Sequence, residues 1–281
     1  MAKTMPAVVV EEENTNLVPA DMLAEFIADA GAGISKSAED KIVPFMALLQ
    51  DMNPEVKKRD PNYVQGAEAG MWLNKATQQL YAGDPAMAER TGYPLLEFQH
   101  CELDKCVVEW VSRNDGGGFV ARHSLQGSVE DTMKRLGKQM PDPSDPKKKV
   151  WKTPEGNDLI ETRYHYGNVI NGGRPQPAVI AFSSTGHTTS RQWMSLMDSY
   201  QLDDGKGNLF TPPAWAKRYV IGSKAKENKK GSFFVGTVAD GGVIANAALR
   251  MAGKKLYEAV KTGMVSAATE DTASNAVSDE I

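Results

Sequence analysis

The sequence predicts a mainly β, α+β chain: an OB-like β-barrel with helical insertions, N-terminal helices and a C-terminal helix. Three observations point there. Short runs rich in β-branched and aromatic residues are separated by wide glycine turns at 114–118 and 171–173. A polar, proline-broken excursion over 127–150 interrupts them. A hairpin over 217–242, KRYVIGSKAKENKKGSFFVGTVADGG, sets two apolar runs on either side of a lysine-dense loop. A different β-barrel satisfies the same observations.

With 281 residues, 41% hydrophobic and 24% charged, the chain holds enough apolar material for one large core. No run approaches the ~20 apolar residues that a spanning helix needs, and MAKTMPAVVVEEE reaches three acids without an apolar leader. The expectation is a cytoplasmic protein with no membrane partner. Cys101 and Cys106 are expected as free thiols, because a disulfide between them would close only a very small loop. Charge is segregated: the net charge is −4, yet 205–231 carries seven Lys or Arg against one acid, while 1–60 carries eleven acids against six bases. A groove for an anion needs only local positive charge.

Taken in order, residues 1–16 are acidic, lack periodicity and read as disordered, and 17–265 reads as a single OB-like domain with its insertion near 127–150. A helix starts near Pro19, carries Leu23, Phe26 and Ile27 at helical spacing and ends at Gly31 and Gly33. The apolar segment 42–49 reads as helical after Pro44, stopping before Asn53-Pro54. Short extended runs occupy 63–81. LLEFQHCELDKCVVEWV, 95–111, ends as a strand with β-branched residues on both faces and so covered on both. After the triple glycine the chain resumes at 119–123. SVEDTMKRLGKQM, 128–140, reads as a helical patch and PDPSDPKKK, 141–149, as irregular. A hairpin turns at 154–157.

AVIAF, 178–182, is the most strand-like run. The helix after it, capped by Ser or Thr near 188–190, shows Trp193, Leu196, Met197 and Tyr200 at three- and four-residue spacing. The basic hairpin follows, then a helix over 245–260 with Leu249, Ala252, Leu256 and Val260 on one stripe. SAATEDTASNAVSDEI, 266–281, has four acids and no base and reads as a disordered acidic tail.

Ala181 to Thr188 imitates a phosphate-binding P-loop but has Ala181 where the first glycine belongs and His187 in place of the lysine. What remains is a helix N-terminus suited to one phosphate, with Arg191 a turn further on; capping explains the same residues. His100, Cys101, Cys106 and His123 are zinc-type ligands at loose spacing, and Cys106 fits better as a small buried hydrophobe. Neither metal nor cofactor is expected. No nucleophile motif occurs, so the chain reads as a protein that is not an enzyme.

Cations beside rings recur: Trp110 with Arg113, Arg122 with His123, Arg163 with Tyr164 and Tyr166, Arg191 with Trp193, Arg218 with Tyr219, Lys230 with Phe233. Trp110 and Trp193 sit on apolar stripes and read as core. The other rings suit unpaired bases, with lysines on the phosphates between them. Candidate nucleic-acid contacts are Arg113, Arg122, His123, Lys147, Lys148, Lys149, Arg163, Tyr164, Tyr166, Arg191, Lys217, Arg218, Tyr219, Lys224, Lys226, Lys229, Lys230, Phe233 and Phe234. Only one of Phe233 and Phe234 can point outward, because neighbours on a strand face opposite sides.

The succession FMALLQDMNPEV, YVQGAEAG, VVEWVSRNDGGGFVARH, SSTGHTTSRQW and ENKKGSFFVGTV, spread over 42–240, resembles a family of tailed-bacteriophage single-stranded DNA-binding proteins. That resemblance implies an OB-type barrel covering exposed strands with little sequence preference during phage DNA replication and recombination in the host cytoplasm. It also implies a tail at 266–281 that recruits replication or recombination proteins; a homo-oligomer is left open. The tail departs from the best-known examples by ending in Ile281 rather than an aromatic residue. The alternative expectation is a phage structural or virion-associated interaction protein without catalytic activity.

Overall fold

The computed structural model describes residues 19–29, 32, 42–112, 115–142, 147–228 and 231–268. Residues 1–16, expected to be disordered, lie outside them; of the tail expected to be disordered over 266–281, residues 269–281 lie outside too, whereas Ser266–Ala267 form a strand. An exposed helix, α1 (Ala20–Ala28), comes first, where the spacing after Pro19 put it. Next come β1 (Ile42–Val43) and β2 (Phe45–Leu48), so the helix expected after Pro44 is a strand. Its apolar residues do not alternate with polar ones because both faces are covered: Phe45 enters one core cluster and Met46 another.

β3 (Trp72–Asn74), β4 (Leu80–Tyr81) and α2 (Pro85–Thr91) follow, the helix capped by Asp84 at one end and left-handed Gly92 at the other. The chain then runs through β5 (Leu96–Trp110) and β6 (Phe119–Ser124) into α3 (Val129–Leu136). A Ser128–Asp131 capping box starts α3, and the chain leaves the helix at Gly137, so Lys138, Gln139 and Met140, expected in that helix, belong to β7 (Lys138–Pro141). β8 (Lys149–Lys152), β9 (Asp158–Val169) and β10 (Gln176–Ser183) lead to α4 (His187–Asp198). A small hairpin, β11 (Leu202–Asp203) and β12 (Leu209–Phe210), precedes the long one, β13 (Lys217–Asn228) and β14 (Gly231–Val243). Helix α5 (Ala247–Lys261) starts at Asn246, whose side chain accepts from Ala248 and Leu249 N–H. β15 (Ser266–Ala267) pairs with β1.

Eleven strands form one sheet in the order β14-β13-β5-β9-β10-β2-β3-β4, with β6 on β5 and the β7–β8 pair on β9. Within it β10 and β2 are parallel and every other pair is antiparallel. The spine is the β5–β9 ladder, from Phe98 opposite Val169 to Trp110 opposite Asp158. One extra residue, Cys101, sits between His100 and Glu102 as a bulge. Because of it Phe98 and His100 face α4, whereas Cys106, Val108 and Trp110 face the opposite side, where Val260 of α5 packs. Helices therefore cover both faces of the spine: α4 on one, burying Trp193 among Phe98, Phe182 and Tyr219, and α5 on the other.

The sheet curls into a half-barrel whose seam is closed by side chains and loops. Gln50, just after β2, donates its amide to Phe234 C=O at 3.0 Å and accepts from Phe234 N–H at 2.8 Å, so it stands in for a strand on the edge of β14. Trp72 Nε1 donates to Gly222 C=O at 3.0 Å, and Ser223 bonds to the carbonyls of Gly83 and Gly70. This mainly β, α+β architecture is built on an eleven-stranded sheet, against the five strands of an OB barrel.

Close backbone approach at the seam requires glycine. A Cβ on Gly83 would overlap the Gly70 carbonyl oxygen and the Ser223 hydroxyl, which hold the loops against β13. Gly83→Ala is therefore expected to cost more than about 2 kcal/mol, lowering Tm by at least about 4 °C in a thermal melt. Gly156→Ala, where nothing lies within 4 Å of the added carbon but φ is +94°, should cost only the smaller backbone strain.

Candidate nucleic-acid interface

Alternation along β13 and β14 decides what the basic hairpin offers. Tyr219 and Ile221 enter the core with Trp193, so Ser223 and Ala225 continue that inner face, and Val220, Gly222, Lys224 and Lys226 lie on the outer one. Residues directly opposite in an antiparallel pair share a face; Phe234 stands opposite Ala225, and Phe233 opposite Lys226. Phe234 is therefore the inward ring. It packs on Gly70, where a Cβ would collide with it, while Gln50 brackets its backbone. Phe233 is half-buried on the outer face beside exposed Lys226 and Lys224. Lys229 and Lys230, at the turn, lie outside the described residues.

The root of the hairpin is committed inward. Lys217 is 4% exposed; its ammonium lies 2.5 Å from Asp240 and 3.6 Å above the Tyr200 ring. That hydrogen bond holds the Asp240 carboxyl below its usual range. Arg218 is exposed and pairs with Glu97 at 3.3 Å. Tyr219 is 1% exposed, edge-on to Trp193 at 5.5 Å, and burial pushes its hydroxyl pKa up. It has no face to offer a base.

Tyr164 and Tyr166, also expected as stacking rings, are each 1% exposed. They lie in the core under α5 with Phe45, Cys106 and Val108. The Arg122 guanidinium closes over them, 5.4 Å from the Tyr164 ring and donating to Tyr166 Oη at 3.2 Å. Tyr166 Oη in turn accepts from Ala267 N–H. These rings look like contacts in sequence because cations flank them. In the sheet the flanking residues Arg163 and His165 point to the other face, and both faces are covered.

The remaining cations are scattered. His123 meets Glu109 at 2.9 Å, and Arg163 meets Glu161 at 2.9 Å. Arg191 is exposed on α4, and Lys147, Lys148 and Lys149 are exposed at the β7–β8 hairpin. Arg113 lies outside the described residues. The hairpins are far apart on the spine: Val220 pairs with Glu97, whereas Trp151 stands opposite Leu159, itself opposite Glu109. Twelve positions of strand, from 97 to 109, separate them by roughly 40 Å. The candidate residues thus form no single groove.

The turn from β10 into α4 carries no side-chain cap. Thr189 and Ser190, expected to cap it, lie inside the helix; Thr189 Oγ1 donates to Gly236 C=O at 2.7 Å. Ser184 adopts φ +42°, a left-handed conformation uncommon for serine. A shallow pocket of about 50 Å³ opens beside this turn, lined by Trp72, Phe182, Ser183 and Phe234.

The four zinc-type residues do not converge either, and no cluster of three metal-type ligands occurs among the described residues. His100 joins a buried chain instead: its Nε2 lies 3.0 Å from His165 Nδ1, and His165 Nε2 lies 2.8 Å from Ser190 Oγ. Trp193 stacks on His165 at 4.7 Å. Both rings are neutral. Burial pushes the His100 pKa down to about 3, and burial, then the His100 ring, holds His165 well below its usual value. A neutral His165 that donates from Nε2 to Ser190 Oγ accepts at Nδ1 from His100 Nε2–H. His100 Nδ1, which has no partner, is then a bare lone pair and not a stranded donor. Gln50 and this chain are what sequence reasoning missed: their partners are 25 to 184 residues away and leave no local pattern.

The Pam3 phage gp34-like protein family matches residues 12–266. No curated protein and no solved structure matches the chain. Among the described residues no helix is long and apolar enough to cross a membrane.

The histidine chain makes stability depend on pH with a definite sign. Both folded pKa values lie below the ordinary ~6.5, so the unfolded state takes up protons that the folded state refuses; stability is full above pH 6.5 and falls as pH drops below it. His100 should contribute a loss of about 2 kcal/mol between pH 7 and pH 5, and His165 a further loss of the same sign. Urea unfolding at the two pH values measures this, and His100→Asn should shrink the difference.

Proposed function

The chain belongs to the Pam3 phage gp34-like protein family, and from that premise we propose that it binds single-stranded DNA with little sequence preference. Contact is made by the outer face of the β13–β14 arm. The observation that carries this reading is the placement of half-buried Phe233 directly across from exposed Lys226, with Lys224 two residues along the same face. One ring for a base and two ammonium groups for the flanking phosphates match what an unpaired strand presents and a duplex withholds. The protein acts as a cover for exposed strands in phage DNA replication and recombination, without catalysis.

A fluorescence titration with oligo-dT tests this. Phe233→Ala should weaken binding by about 1–3 kcal/mol, roughly 5- to 150-fold, and the pair Lys224→Gln and Lys226→Gln should flatten the salt dependence by about 0.7 in log–log slope for each ammonium removed. Absence of binding at low salt, or affinity indifferent to Phe233 and both lysines, overturns the proposal. Stoichiometric copies in purified particles would point instead to a structural role.

A further inference from the structure

Resting on the reading above, we propose that Lys138 and Lys148, on the β7–β8 hairpin, form a second phosphate contact for the same strand. Tight binding then requires DNA long enough to span from one hairpin to the other.

The two hairpins lie at opposite ends of the spine but present cations on the same side of the sheet. On the long hairpin, Lys224 and Lys226 face away from the α4 side, as derived above. On the short one, Trp151 packs with Val107, Leu159 and Met133 on the side of α3. Leu159 and His165 fall on one face of β9, six residues apart, and His165 stacks on Trp193 of α4, so α3 and α4 share that side. Neighbours of Trp151 therefore face the other way: Lys152 points to the α5 side, Lys138, paired opposite it, joins it, and Lys148, just before the strand, stays beside β7 through its carbonyl, which accepts from Asp142 N–H. Arg135, on α3, and Lys149 fall on the α3 side.

Lys138 and Lys148 are exposed and have no ion pair among the described residues, whereas nearby cations are neutralised: Lys134 by Glu130, Lys152 by Asp158 and Arg163 by Glu161. Between the two hairpins on the same side, α5 carries exposed Lys255 and, beside it, Lys254, which Glu258 meets at 3.9 Å. The α5 side thus carries cations at both ends and in the middle. The platform under the short hairpin is packed, with Met133, Val129 and Leu136 of α3 seated on Val107, Leu159 and Trp151, so its cations are held at a fixed distance from the long hairpin.

That distance sets a length. Lys224 lies four residues beyond Val220 and Lys138 is level with Trp110, so roughly 55 Å of strand separates them; at a stacked rise of ~3.4 Å per nucleotide that needs about 16 nucleotides, and an extended strand needs fewer. An oligonucleotide of about 6 stacked nucleotides reaches only one hairpin; one of about 18 reaches both.

Affinity alone would mislead, because a longer oligonucleotide also offers more registers; the salt slope counts phosphate contacts and is blind to registers. The experiment measures log K against log[salt] for oligo-dT of about 6 and about 18 nucleotides, with the wild type and two double variants of equal charge loss. For the wild type the slope should be steeper on the long oligonucleotide by at least about 1.4, two contacts at ~0.7 each. Lys138→Gln with Lys148→Gln should erase that increment and leave the short oligonucleotide unaffected, while Arg135→Gln with Lys149→Gln, on the α3 side, should leave both slopes as they were. Equal slopes at the two lengths, or two double variants that behave alike, overturn the second contact while leaving the first standing. If neither oligonucleotide binds, the arm reading fails and this inference falls with it.

Discussion

The antiparallel ladder between β5 and β9 is the constraint on which the other placements depend. It is covered on both faces, by α4 with α3 on one side and by α5 on the other. Along these two strands Lys105 is the exposed residue and most others are buried, so Tyr164 and Tyr166 on β9 are core. Groups that meet a partner then lie off the covered ladder, on the long hairpin that extends past one end and on the short hairpin that pairs beside the other. Length in the spine becomes separation between the exposed cations.

The bulge at Cys101 allows one long strand to serve both sides. Before it, even-numbered residues of β5 pack against α4; after it, even-numbered residues pack under α5. The α4 side takes in polar groups as well, and they are arranged to carry no charge. Trp193 stacks on a histidine that bonds to a second histidine and a serine, and these side chains are fully buried. A charged ring here would lack a counter-ion, which is why desolvation dominates both pKa values.

Much of the architecture was legible in the sequence. The strands at 178–182 and 119–123, the hairpins at 154–157 and 217–242, and the helices after Pro19, after Gly186 and after Ala245 form where periodicity and turn residues put them. The segment 45–48 misled because full burial erases the period-two signal that separates strand from helix. The site was legible at one level and opaque at another. Exposure of Lys224, Lys226 and Lys148 follows from the polar, charged runs in which they sit. Burial of Tyr164, Tyr166, Tyr219 and Lys217 depends on which neighbours cover them, and those neighbours come from distant segments. Likewise the choice between Phe233 and Phe234 required Gln50, 184 residues away, and the loop glycine Gly70.

The closure of the half-barrel by Gln50, Trp72 and Ser223 has a consequence for whatever meets the long hairpin. These groups grip the hairpin at Gly222, Ser223 and Phe234, part-way along its length, and Gly70 packs on the Phe234 ring at the same level. The backbone carrying Lys224, Lys226 and Phe233 is thereby ordered before any encounter. Association need not restrict it again, and the conformational entropy that the arm loses on binding is that of its contacting side chains. A flexible partner would supply nearly all of the disorder that the complex removes.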